Sequence, residues 1–180
     1  MKKKIRVYLA SQIFAECWRD YNEKIAQRIE TEFPDIELYV SQRNASINDK
    51  TKCATAEDIA YGDLTQNLDH DDLIVAIVDG DTPGIGTVCE CSYFARRCQE
   101  EIEKYGSTKK KIISLYTDTR ECSHTVMDAK VDMLHEFAEC QFSYINLLLV
   151  GILKRYGTMC GSIDEVIEEL RKALKEYEEK

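Results

Sequence analysis

Positive charge is scarce in this chain. Against 33 aspartates and glutamates stand 24 lysines and arginines, giving a formal net charge of −9 and a pI near 4.9. Such a surface repels phosphate backbones, which excludes general nucleic-acid binding. Long hydrophobic runs are missing too. The strongly apolar segment 144–156 has thirteen residues, short of the roughly twenty that a bilayer demands. The apolar stretch behind Met1 and its three lysines is too short for a signal peptide. A cytoplasmic protein with no membrane partner is therefore expected. There is no CxxC pair and no second cysteine pair at zinc-finger spacing, so the eight cysteines read as free thiols packed as small hydrophobes in a reducing compartment. The segment Gly84-Ile85-Gly86-Thr87 has neither a GxGxxG pattern nor a GK[ST] ending, which leaves the nucleotide-cofactor reading weak. Three histidines in polar, unpatterned places offer no Ser/His/Asp arrangement. Internal repeats and low-complexity linkers are absent as well.

The 180 residues that remain suit one domain, 1–180, with 44% hydrophobic content to fill a core. Residues 4–10 alternate and then turn apolar, a first strand. Apolar residues at 14, 18, 21, 25, 29 and 33 mark an amphipathic helix ended by Pro34. Residues 36–40 form a second strand, and 41–52 a polar loop. Residues 55–68 read as a helix capped by Thr55. Residues 73–78 are six consecutive apolar positions, a strand buried on both faces. A helix from about 86 to 103 follows, then a strand at 111–116. Residues 117–127 are polar and unassigned, and 131–142 have helical spacing at best. The apolar segment 144–156 is a core or subunit-interface helix, 157–161 a loop, and 162–177 a final helix with a Ser162…Glu165 capping box. Strands alternating with helices imply right-handed parallel βαβ units with helices on both faces, an α/β doubly wound sheet of four or five strands.

The chain is organised around 71–90. Its buried strand ends in Asp79-Gly80, passes a Pro-Gly turn and opens a helix, the place where open α/β sheets bind ligands. Acids crowd it. Asp69, Asp71 and Asp81 read as solvated loop acids, whereas Asp79 sits at the carboxyl end of the strand. Asp63 lies near the end of its helix, against the dipole, where a partner or a task is needed. Glu90 falls in the first turn or so of the following helix. Favourable dipole electrostatics would explain it, but its flanks, Val88, Cys89, Cys91, Tyr93 and Phe94, are nearly all apolar. A carboxylate there is either satisfied by specific bonds or kept reactive.

Residues 7–11 (VYLAS), 42–44 (QRN), 61–64 (YGDL), 74–80, the block Gly86-Thr87-Val88-Cys89-Glu90-Cys91-Ser92-Tyr93-Phe94-Ala95 and 115–120 together resemble nucleoside 2-deoxyribosyltransferases, in order and spacing through nearly the whole chain. The resemblance implies a flavodoxin-like fold, no metal or organic cofactor, and a homo-oligomer with shared active sites that acts on nucleosides and nucleobases. Glu90 matches the nucleophile that attacks C1′ of a 2′-deoxynucleoside, and Tyr8 the tyrosine that orients it. Asp63 matches an acid that helps the base to protonate. Phe14 matches a base-pocket aromatic, although it could equally be the first core residue of its helix. Gly86 belongs to the motif at the substrate side of the glutamate, Asp79 is a candidate substrate contact, and Asn146 matches an asparagine donated by a neighbouring subunit.

One position departs from the pattern. Many members carry an aspartate six residues before the nucleophile, where this chain has Gly84. Either Asp79 or Asp81 reaches in instead, or the base is gripped differently. Related N-hydrolases of deoxynucleoside monophosphates also lack that aspartate and use small hydroxyl residues and backbone donors for the phosphate. Base exchange is therefore the leading expectation. Transfer to water by a nucleotide or nucleoside N-hydrolase, or a non-catalytic nucleotide-binding module, remain the alternatives.

Overall fold

Five short apolar segments pair side by side in a computed structural model of the chain, which describes residues 4–45, 55–80, 82–118 and 145–178. They are β1 (Arg6–Ala10), β2 (Glu37–Val40), β3 (Leu73–Ile77), β4 (Lys111–Leu115) and β5 (Gly157–Cys160). All neighbours run parallel in the order β2-β1-β3-β4-β5, the doubly wound, flavodoxin-like arrangement. The helices are α1 (Glu16–Glu32), α2 (Ala56–Ala60), α3 (Ile85–Tyr105), α4 (Leu147–Tyr156) and α5 (Ile163–Glu178). None among the described residues is long and apolar enough to cross a membrane.

Strand side chains alternate between faces, and this sorts the core into two halves. Val7, Leu9, Val75 and Ile113 pack with Ile25 and Ile29 of α1 and with Val166 and Leu170 of α5. Tyr8, Ala10, Ile74 and Ile112 turn to the other face, against Cys91, Phe94 and Cys98 of α3 and Leu149 and Leu153 of α4. All of β3 is buried, as a central strand covered on both sides requires. The alternation also decides that Tyr8 faces α3, the helix that carries Glu90.

The segment expected to be a loop at 157–161 is the edge strand β5, in register with β4 from Ile112↔Gly157 to Leu115↔Cys160. Its glycine reads as a turn signal in sequence but serves close approach. A Cβ on Gly157 would lie 1.6 Å from the Ile112 carbonyl oxygen. The helix expected over 55–68 is α-helical only to Ala60 and continues as a π-helix over Tyr61–Leu68, where the Asp69 N–H bonds back five residues to the Leu64 carbonyl at 2.9 Å. Thr55 caps it as expected, in a reciprocal box with Asp58. At α5 the Ser162 hydroxyl accepts from Glu165 N at 3.3 Å, but the Glu165 carboxylate accepts from Gly161 N at 2.8 Å rather than from Ser162. The expectations for 119–144 and for residues 46–52, together with Asp81, Cys53, Cys122 and Cys140, lie outside the described residues. Cys91, Cys98 and Cys160 are buried, whereas Cys17 and Cys89 are exposed rather than packed.

Asp71 is not a solvated loop acid. It is fully buried at the amino end of the sheet. One carboxylate oxygen accepts from Arg6 Nε at 3.1 Å, and the other has no hydrogen-bond partner among the described residues. Burial pushes its carboxyl up to about 6, although Arg6 and Lys110 pull the other way. Between the ordinary unfolded value of about 3.9 and that folded value, the native state binds the proton more tightly. Stability attributable to Asp71 is thus present at low pH and lost as pH rises from about 4 to 6, by about 3 kcal/mol at most. Urea unfolding of wild type and Asp71→Asn across that window should show wild type losing ground to the variant as pH rises. A constant gap would contradict it.

Candidate active site

Tyr8 lies midway along β1 and is fully buried. Parallel register sets it beside Tyr39 of β2 and Ile74 of β3, which brings the two tyrosine rings to 4.9 Å between centroids, tilted by 30°. Its hydroxyl donates to Glu90 Oε1 at 2.7 Å, the length of a charge-assisted bond. Glu90 sits in the second turn of α3 rather than the first. The helix dipole fades beyond the first turn, so electrostatics at the helix start no longer account for a glutamate here.

Burial dominates the Glu90 titration and pushes it up to about 7. The Tyr8 bond pulls it down, and the charge of Asp63 pushes it up. Tyr8 is itself raised, first by burial and then by Glu90 and Asp63, so it remains a protonated donor. Tyr39 is raised to about 12 for the same reasons, burial first, with Asp63 and Glu90 adding to it. Asp63 reaches this cluster from the π-helical segment, a distortion often found at functional sites. Three of the sequence-predicted residues, Tyr8, Asp63 and Glu90, are therefore brought together from three separate elements. They lie where the strand order reverses between β1 and β3, the crevice in which this topology binds ligands.

The other candidates divide. Phe14 precedes α1 and is 81% exposed, so it is not a core residue of that helix. Gly86 is exposed near the start of α3, with no atom within 4 Å of where a Cβ would stand. Asp79 accepts with its two carboxylate oxygens from the backbone N–H and the hydroxyl of Thr117, tying the ends of β3 and β4 together. Asn146 is exposed and caps α4, its Oδ1 accepting from Leu148 N at 2.9 Å.

The space over Gly84 is filled from elsewhere. A Cβ there would meet Gln12 Cγ at 2.8 Å and Thr87 Oγ1 at 3.3 Å. Gln12 bridges to the β3–α3 loop through Nε2, which donates to the Thr82 carbonyl at 3.2 Å. The loop itself turns at Gly80, whose φ of +102° lies where side chains are strained. Thr87 is 2% exposed, and its hydroxyl has no hydrogen-bond partner. Sequence reasoning missed Gln12 and Tyr39, and gave Ser41 and Thr87 no role of their own. Only strand register and the path of a side chain reveal them, and periodicity encodes neither.

A crystal structure of a conserved protein from Enterococcus faecalis V583 is similar to this chain with a TM-score of 0.73 and 32% identity, over 94% of this chain and 99% of that one. The chain belongs to the family of that protein. No family model matches the chain, and no curated protein does. Membership carries the flavodoxin-like α/β fold over the length of both family members, so the Tyr8–Glu90 pair sits within a shared framework.

Proposed function

We propose that this protein is an enzyme that cleaves the N-glycosidic bond of 2′-deoxynucleosides and transfers the deoxyribosyl group to another base through a covalent ester on Glu90. The observation that carries the reading is the 2.7 Å bond from Tyr8 to a largely buried Glu90 at the sheet's crevice. Near neutral pH a carboxyl with its midpoint at about 7 is partly ionised and poorly solvated, a combination suited to nucleophilic attack. A Glu90 oxygen forms a bond to C1′ as the C1′–N bond breaks. The base leaves with the electron pair and takes a proton, for which Asp63 is the neighbouring acid. A second base then attacks C1′ from the opposite face and releases the Glu90 carboxylate. Two inversions give net retention.

The test is incubation of a deoxynucleoside with and without a second free base. Exchanged nucleoside supports transfer, free 2-deoxyribose alone supports hydrolysis, and an unchanged substrate across all common bases rules out both. The same chemistry sets a sugar preference. An oxocarbenium-like transition state is disfavoured by an electron-withdrawing 2′-hydroxyl, which also crowds the nucleophile. A difference of about 3 kcal/mol, roughly a hundredfold in kcat/KM for deoxyadenosine over adenosine, is expected. Equal values for the two would contradict the reading.

One observation favours a deoxynucleoside 5′-monophosphate as the substrate. The N-terminus of α3 opens beside Gly84 and Gly86, and the buried, unpartnered Thr87 hydroxyl lies next to it. Backbone N–H groups and a hydroxyl there suit a phosphate. Comparing deoxyadenosine with its 5′-monophosphate separates the two substrates.

A homo-oligomer that shares its sites is part of the proposal. Leu147 and Leu148, beside Asn146, are 40% and 75% exposed, an apolar edge suited to a second copy. Asn146→Ser keeps a helix-capping side chain and removes the amide. Mixing that variant with Glu90→Ala chains should restore activity above either parent, because some sites then combine an intact Glu90 with an intact Asn146. No recovery after proven subunit exchange would show that the site lies within one chain.

A further inference from the structure

We propose that Ser41 is a positioning residue for Glu90, holding the Tyr8 phenolic proton on one carboxylate oxygen and leaving the other oxygen to attack. The inference deepens the glycosyl-transfer reading and rests on it for the word attack; the hydrogen-bond relay itself does not. Ser41 follows β2 and opens a 3-10 turn, Ser41–Arg43. Its hydroxyl lies 3.2 Å from the Tyr8 hydroxyl and 3.5 Å from the Leu9 carbonyl. Tyr8 has one proton and two polar neighbours. Ionised Glu90 can only accept, whereas a serine can donate or accept. The Tyr8 proton therefore goes to Glu90 Oε1, and Ser41 donates to the Tyr8 oxygen. Donation into a phenol oxygen polarises its O–H bond and strengthens the next bond in the chain.

The turn is built to hold this serine still. Gln42 donates to the Arg19 carbonyl at 3.0 Å and accepts from Asn22 at 3.0 Å. Asn22 is buried and also binds the Gln12 carbonyl at 2.8 Å. Arg43 pairs with Glu23 at 2.6 Å and Glu30 at 2.5 Å. Each of these bonds ties the turn to α1 or to the loop after β1, and none uses the serine hydroxyl.

The titratable groups facing Glu90 are Tyr8 from β1, Tyr39 from β2, Asp63 from the π-helical segment and Cys91 beside it on α3. Among the described residues only Tyr8 hydrogen-bonds to it, so weakening that donor must move the Glu90 midpoint upward. The experiment is a carbon-13 carboxyl titration of Glu90 in the full-length protein, with its resonance assigned by its loss in Glu90→Gln. Ser41→Ala should raise the midpoint by about half a pH unit. Ser41→Thr should keep the wild-type value, and Ser41→Cys, a weaker donor of similar size, should fall between. In a Tyr8→Phe background the Ser41→Ala change should have no effect. An unmoved midpoint in Ser41→Ala overturns the inference, and so does a shift that persists without the Tyr8 hydroxyl, which would indicate disturbance through the Leu9 backbone. The titration needs no turnover, so a failure here is separate from a failure of the glycosyl-transfer reading.

Discussion

Glu90→Gln should lower turnover of a 2′-deoxynucleoside by about four orders of magnitude or more while the protein keeps its fold, because on the proposed mechanism it removes the covalent nucleophile rather than a binding contact. Glutamine preserves the volume of the side chain against Cys91 and Tyr8 and still offers an oxygen to the Tyr8 hydroxyl, 2.7 Å from Glu90 Oε1 in the native site. Circular dichroism and thermal melting should therefore match wild type, or shift slightly upward, since a neutral amide avoids the burial that raises the native carboxyl. Substrate binding, measured by calorimetry, should persist. A variant that turns over at more than a hundredth of the wild-type rate would place the nucleophile elsewhere.

Tyr8→Phe should be less severe and more informative. Among the described residues the Tyr8 bond alone lowers the Glu90 midpoint, while burial and Asp63 raise it. Without the hydroxyl the midpoint must climb above about 7, and less of the protein carries an ionised Glu90 at neutral pH. A hydrogen bond to a charged group is worth about 1.5–3 kcal/mol, so a loss of roughly ten- to a hundredfold in kcat/KM at pH 7 is expected. The signature is the pH profile. In wild type the acid limb should rise through about 7, and in Tyr8→Phe it should move to higher pH, with part of the lost activity recovered above it. A uniform loss with an unmoved limb would mean that Tyr8 serves shape rather than charge.

The two faces of the sheet were readable from alternation and from continuous apolar runs, because burial of β3 on both sides leaves its mark on every residue. The edge strand β5 was not readable. It needs no long apolar run, and its glycine exists to meet the Ile112 carbonyl rather than to turn the chain. Tyr8, Asp63 and Glu90 were legible through motif order, and the cluster they form is compact. Position at a strand end does not say where a carboxylate points, and Asp79 here binds Thr117. Asp71 was misread because polar neighbours in sequence disguised a buried ion pair with Arg6. Ser41 and Tyr39 depend on parallel register, a long-range property that no local window contains.

The most direct measurement is mass spectrometry of the wild-type protein quenched after incubation with a slow 2′-deoxynucleoside. Expected is a gain of one deoxyribosyl group on the peptide that contains Glu90, absent from Glu90→Gln and discharged when a second base is added. Turnover without any adduct, or an adduct mapped to another residue, would contradict covalent catalysis by Glu90.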